Sequence, residues 1–161
     1  MKYVLAILAL AATIGATPSG GTVAVRGAFL HSEVLGEATL HALPRLTIAA
    51  VEHDGTISHY TGVALATILH RAGAPTGAAV RGAPARTYLA VEGSDGYVAL
   101  YSLAELDTSA VRCDPILADE RNGAPLSARL GPFHVVAPCD RVQARWVRNV
   151  TSLTLVTVPR G

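Results

Sequence analysis

Residues 46–63, "LTIAAVEHDGTISHYTGV", decide the architecture: two runs rich in β-branched and aromatic residues flank Asp54-Gly55. Asp-Gly between such runs is the strongest short-range signal for a β-hairpin, because the tight turn that suits strand twist demands positive φ at its centre. Read as a two-residue turn, Asp54-Gly55 sets His53 opposite Thr56 and His59 opposite Ala50. Side chains alternate faces along a strand. Residues 51, 53, 56, 58 and 60 then share one face and residues 50, 52, 57 and 59 the other, so the two histidines point to opposite sides. A metal site shared by this pair is disfavoured unless a bulge resets the register.

The same strand-and-turn grammar extends in both directions. "TVAVRGAF" (22–29) reads as a first strand, and "RTYLAVEG" (86–93) and "YVALYS" (97–102) flank a Ser94-Asp95-Gly96 turn. "PILADER" and "PFHVVAP" bracket the loop "NGAPLSARLG", and "ARWVRNVTSLTLVTV" closes the chain. Helices are few. "VALATILHRAG" (63–73) carries apolar residues at helical spacing and ends on a glycine suited to a left-handed cap. "SLAELD" (102–107) begins with a capping box, Ser102 with Glu105. A further short turn fits residues 31–46, ending before Pro44. The expected fold class is α+β, mostly β, with a few short helices.

Composition narrows the function classes. The 161 residues have a net charge of +1 with scattered basic residues, which leaves no footprint for nucleic acid or an anionic membrane surface. Lys2 followed by "VLAILALAATIGA" (4–16) reads as a signal peptide with an export address. An uncleaved anchor is the alternative, although the run is short of the roughly 20 apolar residues of a membrane span. Residues 17–21 then form a short linker and residues 22–158 one domain, placed in the periplasm or outside the cell, with no membrane span in the mature chain. In an exported chain, Cys113 and Cys139 invite a disulfide worth about 3.5 kcal/mol by loop closure. The alternative is a thiolate ligand or redox thiol, but their spacing matches neither CxxC nor a zinc pattern.

No residue-level motif assigns a reaction. There is no GxSxG elbow, P-loop, or GxGxxG ahead of a helix, and His31, His41, His70 and His134 show no HExxH spacing. No catalytic residue and no metal ligand is therefore assigned. Arg141, Arg145 and Arg148 surround Trp146; strand alternation puts Arg145 on one face and Trp146 with Arg148 on the other. Guanidinium forks suit phosphate or carboxylate, and an indole can stack on a planar ring.

Four segments in order resemble the oxidoreductase molybdopterin-binding domain, the central domain of the sulfite oxidase family. They are "TGVALATILHRAGA" (its GVPL…LL…AG helix), "VEGSDGYVALYSLAEL" (its DGY…SLxxL segment), "PILADERNGAPLSARLGPFHVVAP" (its LLAxxxNGxPLxxxxGxPxRxVVP hairpin) and "ARWVRNVTSL" (its RWVKxxxxI ending). The resemblance covers residues 22–158. It implies a sulfite-oxidase-like fold that cradles molybdopterin, with His53, Asp95, Tyr97, Arg145 and Arg148 as candidate cofactor-binding residues. Relatives hold molybdenum through a cysteine just before the GVPL helix, in a segment reading approximately "LQCAGN". This chain has no cysteine before Cys113, and His53 stands at or near that place. The hairpin that the resemblance implies, with Ile116 opposite Val136, also brings Cys113 opposite Cys139, which suits a disulfide at its open end.

Three readings follow. The first is an exported molybdopterin-binding-type oxidoreductase domain, degenerate because its metal-ligating cysteine is absent, which disfavours molybdenum catalysis. The second is a non-catalytic module that reuses the fold to bind a small molecule or a partner. The third is a histidine-dependent metal site at His53. The expected pocket lies between the hairpin at residues 46–63, the DGY turn and the arginine-rich ending; no redox or membrane partner is specified.

Overall fold

A computed structural model describes residues 20–107 and 113–160. The signal segment expected at residues 1–16, and the linker up to residue 19, lie outside the described residues. The fold is mostly β with two short helices, as the sequence patterning implies. One sheet has the order β2 (Glu33–Gly36), β1 (Thr22–Gly27), β10 (Val150–Thr157), β5 (Thr87–Gly93), β6 (Val98–Ser102). The other has the order β3 (Arg45–Val51), β4 (Ile57–Ala64), β7 (Ile116–Arg121), β8 (Ala124–Pro125), with β9 (His134–Val136) also paired to β7. Helix α1 (Glu37–His41) leads into β3, and α2 (Leu65–Arg71) follows β4.

Alternation builds one core between the sheets. Val23 and Val25 of β1, Leu89 and Val91 of β5, and Leu153 and Leu155 of β10 belong to one buried cluster with Leu65, Ile68 and Leu69 of α2 and with Leu117 and Val135 of the second sheet. Burial of such side chains stabilises the fold by roughly 1.5–3 kcal/mol each. α2 starts two residues later than its periodicity predicts. Val63 and Ala64 stay in β4, paired to Leu117 and Ile116, because strand pairing overrides local propensity there.

The opening hairpin forms with a different register. Gly55, at φ +84°, is an extra residue, so the connection is a three-residue turn with a glycine bulge. The Gly55 N–H donates to the Glu52 carbonyl at 2.9 Å, and the Glu52 N–H donates to the Thr56 carbonyl at 2.7 Å. Val51 therefore faces Ile57, and His59 faces Ala49 rather than Ala50. Ala50, Ser58 and Tyr60 turn into the core, Val51 and His59 turn out, and His53 sits in the turn itself. At residues 102–107 Ser102 Oγ accepts the Glu105 N–H at 3.1 Å as a cap should, and a single turn forms there, as the sequence implies.

Two devices prepare the wall of a site. The β4–β7 ladder shifts register between Thr61 and Gly62, and a Cβ at Gly62 would fall on the Leu117 carbonyl oxygen, so only glycine lets these backbones approach. That shift sets Arg121 across from Tyr60, with its Cζ 5.8 Å from the ring centroid. Further along, β9 exchanges hydrogen bonds with the segment before β10: Val135 N–H to Val147 O at 2.8 Å, and Val147 N–H to Val135 O at 3.2 Å. Tyr60, His134 and Trp146 meet there as a triangle with ring centroids 5.9 Å apart on each side.

Ile116 pairs with Val136, and the open end of the β7–β9 hairpin is closed by the Cys113–Cys139 disulfide, with Cα atoms 6.0 Å apart. Both cysteines are thereby withdrawn from any other role. Reduction releases 26 residues of closed loop, so the chemical-denaturation midpoint measured with and without reductant should fall by the equivalent of about 3.5 kcal/mol.

His134 is 3% exposed, and burial lowers its pKa to about 4, against the raising effect of its hydrogen bond to the Val147 carbonyl. Between pH 6.5 and about 4 the unfolded chain binds a proton that the folded chain refuses, so stability rises with pH in that window. The gap corresponds to about 3 kcal/mol, lost as pH falls to 4. Denaturant titrations from pH 7 to pH 4 should show this loss, and His134→Phe, which cannot titrate, should flatten it.

Candidate functional site

Where the elements above converge, a cavity of about 550 Å³ opens to solvent. Glu52 and His53 come from the β3–β4 turn, Asp95 and Tyr97 from the β5–β6 turn, and Ser127, Arg129 and Leu130 from the β8–β9 connection. The segment before β10 adds Gln143, Trp146 and Arg148, and the buried Tyr60 and His134, with Arg121, form the inner wall.

The inner wall is tightly organised around Glu52. Tyr60 donates its hydroxyl to Glu52 Oε1 at 2.7 Å, and Arg121 Nη2 lies 2.9 Å from the same oxygen. Arg121 Nε donates to Ser58 Oγ at 3.0 Å, and Gln143 Nε2 donates to the Val51 carbonyl at 3.1 Å. Burial works to raise the Glu52 pKa, but hydrogen bonds from Tyr60 and Ser58 and the charge of Arg121 outweigh it and keep it below the usual carboxylate value. Burial beside that carboxylate raises the Tyr60 phenol well above its ordinary value, so it stays a proton donor to Glu52.

The rim is organised differently. Asp95 Oδ1 accepts the Tyr97 N–H at 3.0 Å, a local turn that holds the Tyr97 ring at the cavity edge, where its hydroxyl donates to the Ala144 carbonyl. Arg129 and Arg148 are exposed and form no ion pair among the described residues. Three guanidinium groups against two carboxylates, with Arg121 already paired to Glu52, leave two uncommitted cations beside Asp95. Such an arrangement favours a bound anion through charge-assisted hydrogen bonds.

Of the residues singled out from sequence, His53, Asp95, Tyr97 and Arg148 line this one cavity, although they lie up to 95 residues apart. Arg145 does not line it. Its guanidinium donates to both carboxylate oxygens of Asp140, at 2.9 and 2.6 Å, and to Glu105 at 2.6 Å, and lies 4.5 Å over the Tyr101 ring. Hydrogen bonds to Asp140 and Glu105 hold its pKa above the ordinary arginine value. Arg145 thus pins the turn Gln143–Arg145 that delivers Trp146 and Arg148. Sequence reasoning missed Glu52, Tyr60, Arg121, Arg129, His134 and Gln143 as cavity residues. One of these had a readable signal: His134 stands where the resembled "PxRxVVP" pattern carries arginine.

Fit to a molybdenum-pterin group divides. The cavity has room and uncommitted cations for a phosphate-bearing organic ligand, but no thiolate can reach a metal, because both cysteines of the chain are in the disulfide. Among the described residues, no group of three or more His, Cys, Asp or Glu is arranged to hold a metal ion, and no helix is long and apolar enough to cross a membrane. The donor set does not fit protein-ligated molybdenum.

Comparison with known proteins agrees with this architecture. Residues 37–160 match the family described as oxidoreductase molybdopterin binding domain. The crystal structure of the sulfane dehydrogenase SoxCD from Paracoccus pantotrophus is similar in fold, with a TM-score of 0.67 and 20% sequence identity over 86% of this chain. The chain spans 39% of the length of that protein's chain. No curated protein matches in sequence. The match over residues 37–160, on a fold shared with that dehydrogenase, shows that this chain belongs to the oxidoreductase molybdopterin-binding domain family.

Proposed function

We propose that this chain is an exported small-molecule-binding domain of the family, holding an anionic ligand at Arg129 and Arg148 without thiolate-held molybdenum. The observation that carries this reading is the pair of exposed guanidinium groups, without ion-pair partners among the described residues, that line a cavity of about 550 Å³. Asp95 and Tyr97 shape the edge on which the ligand rests, and His53 lines the cavity from the β3–β4 turn. Export is supported by the apolar run at residues 4–16 and by the disulfide, a bond that persists in oxidising compartments.

A second reading keeps the family's chemistry: an oxidoreductase domain that carries the pterin cofactor. The DGY turn supports it, since Asp95 and Tyr97 stand with Arg148 around one cavity. The two readings separate on composition. Protein purified from a host that makes the molybdenum cofactor should carry no stoichiometric molybdenum by elemental analysis; one metal per chain would sink the first reading. In calorimetric titration with inorganic phosphate, Arg129→Gln and Arg148→Gln should each weaken binding by about tenfold. Both residues are exposed, so neither change should move stability by more than about 0.5 kcal/mol.

A further inference from the structure

Resting on the anion-binding reading above, we propose that the cavity selects an oxyanion that carries its own proton, phosphate rather than sulfate, with His134 Nε2 accepting that proton in a hydrogen bond. The tautomer follows from geometry. His134 Nδ1 lies 2.9 Å from the Val147 carbonyl oxygen, which can only accept, so the ring proton sits on Nδ1 and Nε2 presents a lone pair. His134 is 3% exposed and lines the cavity, and among the described residues Nε2 has no hydrogen-bond partner and is not sealed from it. The aromatic neighbours spend their donors elsewhere, the Tyr60 hydroxyl on Glu52 and Trp146 Nε1 on the Ala137 carbonyl at 3.0 Å, and Arg121 turns Nε to Ser58 and Nη2 to Glu52. A lone pair held at such depth calls for a donor, and since no described residue hydrogen-bonds to it, a ligand with its own hydroxyl is the partner that suits it.

The surroundings keep the imidazole in this role. The charged groups acting on it are Glu52 from the β3–β4 turn, Arg121 from β7 and Arg148 from the segment before β10, with the neutral Tyr60 phenol alongside. Burial dominates them and holds the ring neutral down to about pH 4. Near neutral pH, sulfate has no proton to offer and would set an oxygen lone pair against Nε2. Inorganic phosphate retains at least one hydroxyl. Arginine, at the same place in the resembled motif, would be a donor to any oxyanion; the neutral histidine here discriminates. Arg148 and Arg129 supply the charge, and His134 reads the proton.

The test is calorimetric titration of the wild-type chain with sodium phosphate and sodium sulfate at pH 7.5 and matched ionic strength. Phosphate should bind at least about tenfold more tightly. His134→Phe should bring the two anions within a few-fold of each other, and His134→Arg should raise sulfate affinity above that of the wild type. Glycerol phosphate, titrated at pH 6 where its monoanion carries the required hydroxyl, distinguishes an ester head group from the free ion by whichever phosphate binds more tightly. Equal or tighter sulfate binding by the wild type overturns the proposal. Failure of every anion to bind overturns the anion-binding reading beneath it. The wild-type comparison decides even if a variant at this buried position fails to fold.

Discussion

Everything at the cavity hangs from the exchange of two backbone hydrogen bonds between Val135 and Val147. Val135 belongs to β9 in one sheet, and Val147 lies just before the chain enters β10 in the other. The exchange therefore joins the sheets by main chain as well as by apolar packing. Because alternate residues point opposite ways, burying Val135 and Val147 fixes the directions of His134, Trp146 and Arg148 on either side of them. Val147 contributes a second time, since its carbonyl also accepts from the His134 ring and so sets the tautomer. A carbonyl with two lone pairs can serve both donors, which lets one peptide group set both the wall and its chemistry.

The distribution of charge then follows a simple division. Cations near the inner wall or behind it are neutralised: Arg121 by Glu52, and Arg145 by Asp140 and Glu105. Arg129 and Arg148 at the rim have no ion-pair partner among the described residues. Half-buried charges gain from local compensation because they are partly desolvated, whereas rim charges remain hydrated until a ligand arrives. Arg145 and Arg148, three residues apart in one arginine-rich segment, fall on opposite sides of this division. One holds the protein's own turn in place, and the other faces outward toward whatever enters.

Most of the strand layout was legible from sequence, since turn chemistry and two-residue alternation are local properties. The hairpin around Asp54-Gly55 is visible at a glance, yet its register moves by one place because Gly55 serves as a bulge rather than as half of a two-residue turn. A choice between two glycine turns is a difference of backbone geometry that residue types alone do not settle. The site divides along the same line. Asp95, Tyr97, Arg148 and His53 belong to segments whose order resembles a family, and they could be named from it. Glu52, Arg121, Arg129 and Gln143 could not, because their meaning comes from long-range convergence: the Glu52–Arg121 pair joins positions 69 residues apart. His134 was readable as a departure from a motif, but its role depends on burial and on a carbonyl thirteen residues away.

The parallel pairing of β1 with β10 has a mechanical consequence. Ala24 lies beside Ser152 and Gly27 beside Leu155, so the first strand and the last run side by side in the same direction. Force applied to the two ends of the domain would drag these strands past one another along their length. The ladder would be loaded in shear, with its hydrogen bonds sharing the tension, instead of opening like a zip one bond at a time. The domain is therefore built to resist being stretched between its ends far better than being peeled from the free edge at β2.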